Sequence, residues 1–231
     1  MALILSIETS VEGCSVALHV DGKLLSNVEL FAERSAAEVL TTAIGQNLQI
    51  AGKSFDDLDA ITICKGPGSY TGLRIGVSTA KGLCFAKDLP LVSVNSLDVM
   101  IAEIQPFYPD SSLVPMLDAR RMEVYTKVVK GKSEEMGTSA VIIEDESFKE
   151  SLEKGETIFF GPGAAKCKEV FTHKNAVFPE KDISPKASSM GQLALEKFEA
   201  GDFENVAEFE PFYLKEFMGT KPTKNKKVVA S

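Results

Sequence analysis

The chain has 231 residues, of which 44% are hydrophobic and 25% charged, and its formal net charge is -8 at pH 7. This balance is typical of a globular protein and excludes a disordered, collagen-like or disulfide-stapled chain. An acidic protein is poorly suited to binding a phosphate backbone unaided, so any basic contact must be local. The length allows one large domain or two small ones, and we favour two.

The amino-terminal apolar run, residues 2–7, has no basic leader and meets Glu8 at once. It is too short for a signal peptide or a membrane span, so we expect a cytoplasmic protein without a membrane contact. The four cysteines form no Cys-x-x-Cys pair, which predicts reduced, buried thiols. His19 and His173 are the only histidines, so we do not expect a histidine-ligated hydrolytic metal site.

The first half of the chain reads as an α/β unit. Apolar alternation and turn residues predict an antiparallel meander of three strands, at residues 3–10, 14–20 and 23–30. Apolar residues at helical spacing predict helices over 35–51 and 71–87 and a further helix beginning at Ser96, with buried parallel strands at 60–64 and 91–94.

The second half repeats this order after a linker near residues 104–112. We predict strands at 113–117, 123–130, 141–143 and 157–160 and helices at 148–154 and 187–200. Gly161-Pro162-Gly163 follows a strand as Gly66-Pro67-Gly68 does in the first half, and a helical stretch is expected after each. The economical interpretation is a duplicated fold of two βββαβα lobes, residues 1–106 and 107–218.

A third segment, residues 219–231, contains four lysines and no acidic residue. We predict a basic, flexible tail. The alternative is a tail that contacts RNA or an acidic partner.

The densest motif, residues 65–76, joins a strand to a helix. Gly66 and Gly68 permit close backbone approaches, and Ser69 or Thr71 can cap the following helix, whose amino terminus attracts anions. The third glycine falls at position 72 and no Gly-Lys-Ser/Thr follows, so the motif is neither a dinucleotide-binding nor a Walker loop. Phosphate binding at this helix start is one hypothesis.

The helix over 71–87 is unusually rich in small residues. Its polar strip is narrow and contains Arg74, Ser78 and Lys81, so the rest of its circumference exceeds what one sheet must bury. Two explanations stay open: a partner protein covers the excess, or the helix is sandwiched inside its own domain with glycines for close packing.

Acidic residues end the corresponding strands of the two halves, at Glu8 and Asp118. Two such acids facing each other could hold a magnesium ion and a phosphate, so an actin-like kinase or ATPase that uses them with the Gly66 loop is the alternative enzyme. No further acid, lysine or histidine in motif context assists them, and no Gly-x-Ser-x-Gly elbow is present. We therefore do not expect an intact catalytic site.

Residues 66–76 closely resemble the signature of the TsaB family, the dimerisation subunits of the bacterial machinery that makes threonylcarbamoyladenosine in tRNA, with Tyr70 where the family usually has Phe. The similarity extends over nearly the whole chain. Further matches are Leu-Ser-Ile-Glu-Thr-Ser at 5–10, Cys-Ser-Val-Ala-Leu at 14–18, Leu-Asp-Ala-Arg at 117–120 with Glu-Val-Tyr at 123–125, and Pro-Phe-Tyr-Leu-Lys at 211–215.

This resemblance implies an actin-like, ribonuclease H-like fold and a pseudoenzyme that supports a catalytic paralogue, TsaD. TsaD carries the histidine-ligated metal and transfers the threonylcarbamoyl group to the adenosine beside the anticodon of tRNAs reading codons that begin with A. Two residues depart from the family pattern: Glu8 stands where Asp is common, and a histidine often found in the region 31–38 is missing.

The resemblance also implies the partners. We expect a heterodimer with TsaD through the helices over 35–51 and 71–87, a homodimer when the chain is isolated, TsaE within the complex, and tRNA bound only through the complex. No cofactor is expected in the isolated chain, with ATP or ADP possible at the interface with TsaD. The predicted interface residues are Ala36, Leu40, Ala43, Gly72, Leu73, Ile75, Gly76, Thr79 and Leu83.

Overall fold

The computed structural model describes residues 1–31 and 36–215 and contains two five-stranded mixed sheets. The first sheet has the order β3-β2-β1-β4-β5, with β1 Leu3–Glu8, β2 Cys14–Val20, β3 Lys23–Leu30, β4 Ala60–Gly66 and β5 Leu91–Asn95. The second has the order β10-β9-β6-β7-β8, with β6 Ser112–Asp118, β7 Glu123–Lys130, β8 Ser133–Ile142, β9 Thr157–Phe160 and β10 Ala176–Val177.

The two sheets have the same topology. In each, the first three strands form an antiparallel meander, the fourth strand lies parallel to the first, and the fifth lies parallel to the fourth. The predicted duplicated α/β fold is therefore confirmed.

Among the described residues, the second lobe lacks a counterpart of the long helix that follows β4 in the first lobe. The helix expected after Gly163 is only a 3-10 turn, Ala165–Cys167. Residues 161–175 join β9 to β10, whereas the longer segment 67–90 joins β4 to β5. The shorter crossover leaves no room for a long helix, because the chain must also travel back along the sheet.

Five α-helices are described, α1 Ala36–Ile50, α2 Tyr70–Lys87, α3 Ser96–Ile104, α4 Lys149–Lys154 and α5 Gly191–Glu199. Helices α1 and α2 lie side by side on the first sheet, and their apolar sides share one core with β1, β2 and β4. The predicted bounds of α2 agree to within one residue, because Ser69 caps its first turn and accepts a hydrogen bond from the Gly72 N–H.

Two further predicted elements differ from the structure. Strand β8 begins at Ser133 and not at residue 141. The first half of this strand is exposed and has few apolar residues, so apolar alternation could not predict it. The helix predicted over 187–200 consists of a 3-10 turn, Ala187–Ser189, followed by α5.

The chain returns to the first lobe after the second. Residues from Ala187 to Phe198 cover the sheet face opposite α1 and α2, where Met190 packs near Cys64. Further on, Phe209 enters the first core and the Phe212 N–H donates to the Lys65 carbonyl at 2.8 Å. The first lobe is thus completed by residues placed in the second lobe by the predicted division at 107–218.

Two of the predicted features lie outside the described residues, namely Ser35 at the start of the first helix and the lysine-rich segment 219–231. None of the helices in the described part of the chain has the length and apolar character needed to cross a membrane.

Helix α2 approaches Thr9, in the turn after β1, more closely than a side chain at Gly72 or Gly76 would allow. A Cβ atom added at Gly72 would overlap the carbonyl oxygen of Thr9, and one added at Gly76 would overlap the Thr9 hydroxyl and lie 3.0 Å from Ile63 Cδ1. At Gly82, on the exposed side of the same helix, nothing lies within 4 Å. Glycine at positions 72 and 76 therefore serves the packing of the lobe itself.

A first prediction compares two glycines of α2. We expect Gly72→Ala to lower the free energy of unfolding by about 1–3 kcal/mol or more, because the rigid Thr9 backbone must move. The same change at Gly82 is the matched control and should raise it by up to about 1 kcal/mol, since alanine favours a helix. Urea denaturation measures both. Equal effects at the two positions would contradict the described contact.

Candidate functional site

A cleft of about 950 Å³ lies between the two lobes. Its first wall contains Glu8 and the start of α2, and its second wall contains Asp118 and the hairpin that joins β6 to β7. The structure thus brings the two predicted acids to one cleft, because the central strand of each sheet ends there.

Glu8 is engaged by its own turn. Its side chain is 1% exposed, and one carboxyl oxygen accepts hydrogen bonds from the Ser10 N–H, at 2.5 Å, and from the Ser10 hydroxyl. Burial raises the pKa of this carboxyl to about 7, although the bonds from Ser10 oppose the shift. Glu8 therefore stabilises the turn after β1.

The loop between β4 and α2, residues 66–69, packs against the same turn, and we call it the glycine loop. The Ser69 N–H donates to the Ser10 carbonyl at 2.7 Å, and the Gly72 N–H donates to the Ser69 hydroxyl at 3.3 Å. Gly68 fits only because it lacks a Cβ, which would overlap Ser10. At Gly66, which has a φ of 109°, an added Cβ would lie 3.0 Å from the Phe212 carbonyl oxygen.

Two N–H groups that a phosphate cradle would use are therefore already bonded within the chain. Thr71, the remaining candidate of this loop, is exposed in the first turn of α2 and does not cap the helix. Gly66 and Gly68 therefore let the glycine loop pack closely against Phe212 and Ser10 of the same lobe.

Asp118 lies on the opposite wall and is paired. Lys166 forms an ion pair with its carboxylate, and the Arg120 N–H donates to it at 2.8 Å. Burial acts to raise the pKa of Asp118, but the bonds from Lys166 and Arg120 outweigh it and lower the pKa. Sequence reasoning missed Lys166, because it lies 48 residues from Asp118 in the chain and no local pattern links the two residues.

Neither histidine lines the cleft. His19 is buried, where its ring nitrogens lie 3.2 Å from the Ser6 hydroxyl and 3.3 Å from the Ser188 carbonyl, and burial lowers its pKa. His173 accepts a hydrogen bond from the Asn175 N–H at 3.2 Å. Within residues 1–31 and 36–215, no group of three His, Cys, Asp or Glu side chains is placed to share a metal ion.

The predicted interface residues separate into two groups. Five of them, Ala36, Leu40, Ala43, Leu73 and Gly76, are buried inside the first lobe and have no surface to offer a partner. The other four, Gly72, Ile75, Thr79 and Leu83, are half-buried, and Gly72 is packed against Thr9. Packing inside the lobe thus explains the small residues on the buried side of α2. It does not explain the small residues on the exposed side.

On the sides of α1 and α2 that point away from the sheet, uncharged residues that are exposed or half-buried form a surface that we call the outer face. Glu38, Arg74, Lys81 and Lys87 of the same helices are charged and are not part of it. In α1 it comprises Thr41, Thr42, Gly45, Gln46, Gln49 and Ile50, and in α2 Ile75, Ser78, Thr79, Gly82, Leu83, Phe85 and Ala86. Phe85 and Ile50 are 86% and 75% exposed. Sequence reasoning missed these two, because only the structure shows which side of each helix is buried.

The charges of α2 are engaged beside the outer face. Lys81 donates to the carbonyls of Ala207 and Phe209, and Lys87 pairs with Asp56 at 2.7 Å. Arg74 lies over the Tyr70 ring, 5.6 Å from its centroid.

Comparison with known proteins identifies the family. The family model described as "TsaD: tRNA N6-adenosine threonylcarbamoyltransferase" matches residues 29–225. The tRNA threonylcarbamoyladenosine biosynthesis protein TsaB of Haemophilus influenzae is 30% identical over 223 residues, covering 92% of this chain and 93% of that protein. The chain belongs to the TsaB family. Its family role is in the modification of tRNA with threonylcarbamoyladenosine.

Solved structures agree with this assignment. YeaZ from Pseudomonas aeruginosa is 26% identical, has a TM-score of 0.79 and covers 93% of this chain and 100% of that one. Component A of (R)-2-hydroxyglutaryl-CoA dehydratase from Acidaminococcus fermentans has a TM-score of 0.51 at 8% identity, covering 85% of this chain and 99% of that one. The latter likeness shows the fold alone, which is actin-like as the resemblance to the TsaB family implies.

The raised pKa of Glu8 predicts a pH dependence of stability for this TsaB-family chain. Between its ordinary value of 4.5 and about 7, the folded chain keeps the proton that the unfolded chain loses, so the free energy of unfolding falls as the pH rises. The shift corresponds to about 3 kcal/mol.

The Glu8→Gln variant lacks this titration and keeps an oxygen for the Ser10 bonds. We expect its stability relative to the unmodified chain to rise by about that amount between pH 4.5 and pH 7.5 and to stay constant above. Urea denaturation at a series of pH values measures the difference. Parallel pH profiles for the two proteins would show that Glu8 titrates normally.

Proposed function

We propose that this chain is a non-catalytic subunit that pairs with TsaD through its outer face and is required for forming threonylcarbamoyladenosine beside the anticodon of tRNAs reading codons that begin with A. The outer face carries the proposal. It combines two highly exposed large apolar side chains with small, uncharged residues, in a protein with 25% charged residues. Depletion of charge and a large exposed aromatic residue are typical of the centre of a protein interface.

The same face supports a homodimer of the isolated chain. The uncharged outer faces of two copies can pair about a two-fold axis when TsaD is absent. Gly82, Ala86 and Gly45 carry little or no side chain, so the backbones of two such helices can approach closely. TsaD would replace the second copy.

The cleft supports a role without bond-making. Glu8 is held by Ser10, and Asp118 is held by Lys166 and the Arg120 N–H. A general base or a metal-binding carboxylate must be available to its substrate or ion, whereas both carboxylates are bonded within the chain. We propose that any ATP or ADP binds at the interface with TsaD and not in the glycine loop, and that TsaE joins through the complex.

A charge placed on the outer face should block pairing. We expect Gly82→Glu to weaken the affinity for TsaD at least about tenfold, because the carboxylate would be desolvated in the interface. The fold should be retained, since nothing surrounds Gly82 within 4 Å. Lys132→Glu, an exposed site in the turn between β7 and β8, changes the charge in the same direction and should leave the affinity unchanged. Isothermal titration against TsaD, with sedimentation of the isolated variants, measures both effects.

Unchanged affinity of the Gly82→Glu variant would place the TsaD contact elsewhere. The supporting role is tested by reconstituting tRNA modification from TsaD, TsaE, the adenylate-forming enzyme and tRNA. Modification should depend strictly on this chain and should not occur when this chain replaces TsaD. Nucleotide hydrolysis by the purified chain alone would favour the kinase or ATPase alternative.

A further inference from the structure

One motif of the sequence has no part in the pairing surface, namely the hairpin that joins β6 to β7. It contains Arg120 and Arg121, which are exposed and line the mouth of the cleft. The structure describes only one further arginine, Arg74, which is engaged with Tyr70. The chain has a net charge of -8, so two adjacent exposed arginines form a local positive patch on an acidic protein.

The hairpin is fixed by its backbone. The Ala119 N–H donates to the Glu123 carbonyl at 3.1 Å, and the Glu123 N–H donates to the Arg120 carbonyl at 3.2 Å. Arg120 and Arg121 have φ values of 70° and 50°, so two successive left-handed residues reverse the chain. Both guanidinium groups are thereby carried at the tip of a rigid turn.

The acids nearest to the arginines in the chain are paired with other cations. Asp118 forms an ion pair with Lys166, and Glu123 forms one with Lys215. Neither Arg120 nor Arg121 forms an ion pair with any residue in the described ranges 1–31 and 36–215. The tip therefore carries two positive charges outside any ion pair of those residues, although the charge of Arg120 also helps to lower the pKa of Asp118.

The surroundings favour a large anion at the tip over a small one deep in the cleft. Glu12, Glu29 and Asp182 also line the cleft, and their carboxylates repel a polyanion that enters it. The amides of Ser69 and Gly72 on the opposite wall are already bonded. A phosphate backbone that runs along the tip of the hairpin need not enter the cleft between these acids, and it meets both guanidinium groups, which match phosphate geometry.

We propose that Arg120 and Arg121 contact the phosphate backbone of the tRNA in the complex with TsaD. This inference rests on the proposed function, because that function supplies the RNA. It assigns this chain a direct share in holding tRNA, in addition to its pairing with TsaD.

The test measures tRNA binding by the complex with TsaD at a series of salt concentrations. The double variant Arg120→Asn/Arg121→Asn removes both charges and suits the turn, since asparagine tolerates positive φ. The slope of log affinity against log salt is negative, and each lost phosphate contact reduces its absolute value by about 0.7–0.9. We expect a slope that is less steep by about 1.4–1.8 and an affinity about tenfold weaker near physiological salt.

Two controls accompany it. Arg120→Lys/Arg121→Lys keeps the charges and should retain most of the slope. Lys130→Ala/Lys132→Ala removes two charges at the other end of β7 and should change neither slope nor affinity. Affinity for TsaD, measured separately for every variant, should equal that of the unmodified chain, so a failure of pairing is distinguishable from a failure of RNA contact.

Three results would overturn the inference. The first is an unchanged salt slope for the asparagine variant. The second is an equal loss for the Lys130/Lys132 control, which would indicate a general charge effect. The third is weaker binding of ATP or ADP by the isolated variant with tRNA affinity unchanged, which would assign the arginines to a free nucleotide.

Discussion

The contact between helix α2 and the turn after β1 determines the rest of the structure. Gly72 and Gly76 allow the helix to lie against Thr9, and the Ser10 carbonyl accepts the Ser69 N–H at the start of the same helix. This contact fixes which side of α2 is buried. The opposite side, which includes Ser78, Gly82 and Phe85 beside the charged Arg74, is left exposed as a consequence.

The same contact gives the cleft its character. Ser10 bonds both to Glu8 and to the glycine loop, so the parts that could bind an anion are joined to each other. The segment after α5 adds a further layer. The Phe212 N–H donates to the Lys65 carbonyl, and the Tyr213 ring is tilted against that of Tyr70, with 4.8 Å between the ring centroids. The two lobes thus form an actin-like cleft. Glu8, Ser10 and the glycine loop of its first wall are bonded to each other, whereas Arg120 and Arg121 on its second wall form no ion pair within the described residues.

Much of this architecture could be predicted from the sequence, because turns and apolar periodicity are local properties. The duplicated strand order predicted that Glu8 and Asp118 would meet at one cleft, as they do. The buried side of α2 could not be predicted, since Gly76 and Gly82 look alike in a helix with small residues on every side. Lys166 and the return of the chain to the first lobe depend on contacts between distant segments, which no local pattern encodes.

The most direct test of the account is the reactivity of a cysteine placed on the outer face by Gly82→Cys. The four native cysteines are buried and burial raises their pKa values, so the introduced thiol should react far faster than they do with an alkylating reagent. At a concentration where the chain is monomeric, the account predicts rapid alkylation alone and at least about tenfold slower alkylation with saturating TsaD, while a thiol introduced by Lys132→Cys is unaffected. Equal alkylation rates at position 82 with and without TsaD would contradict the assignment of the outer face as the pairing surface.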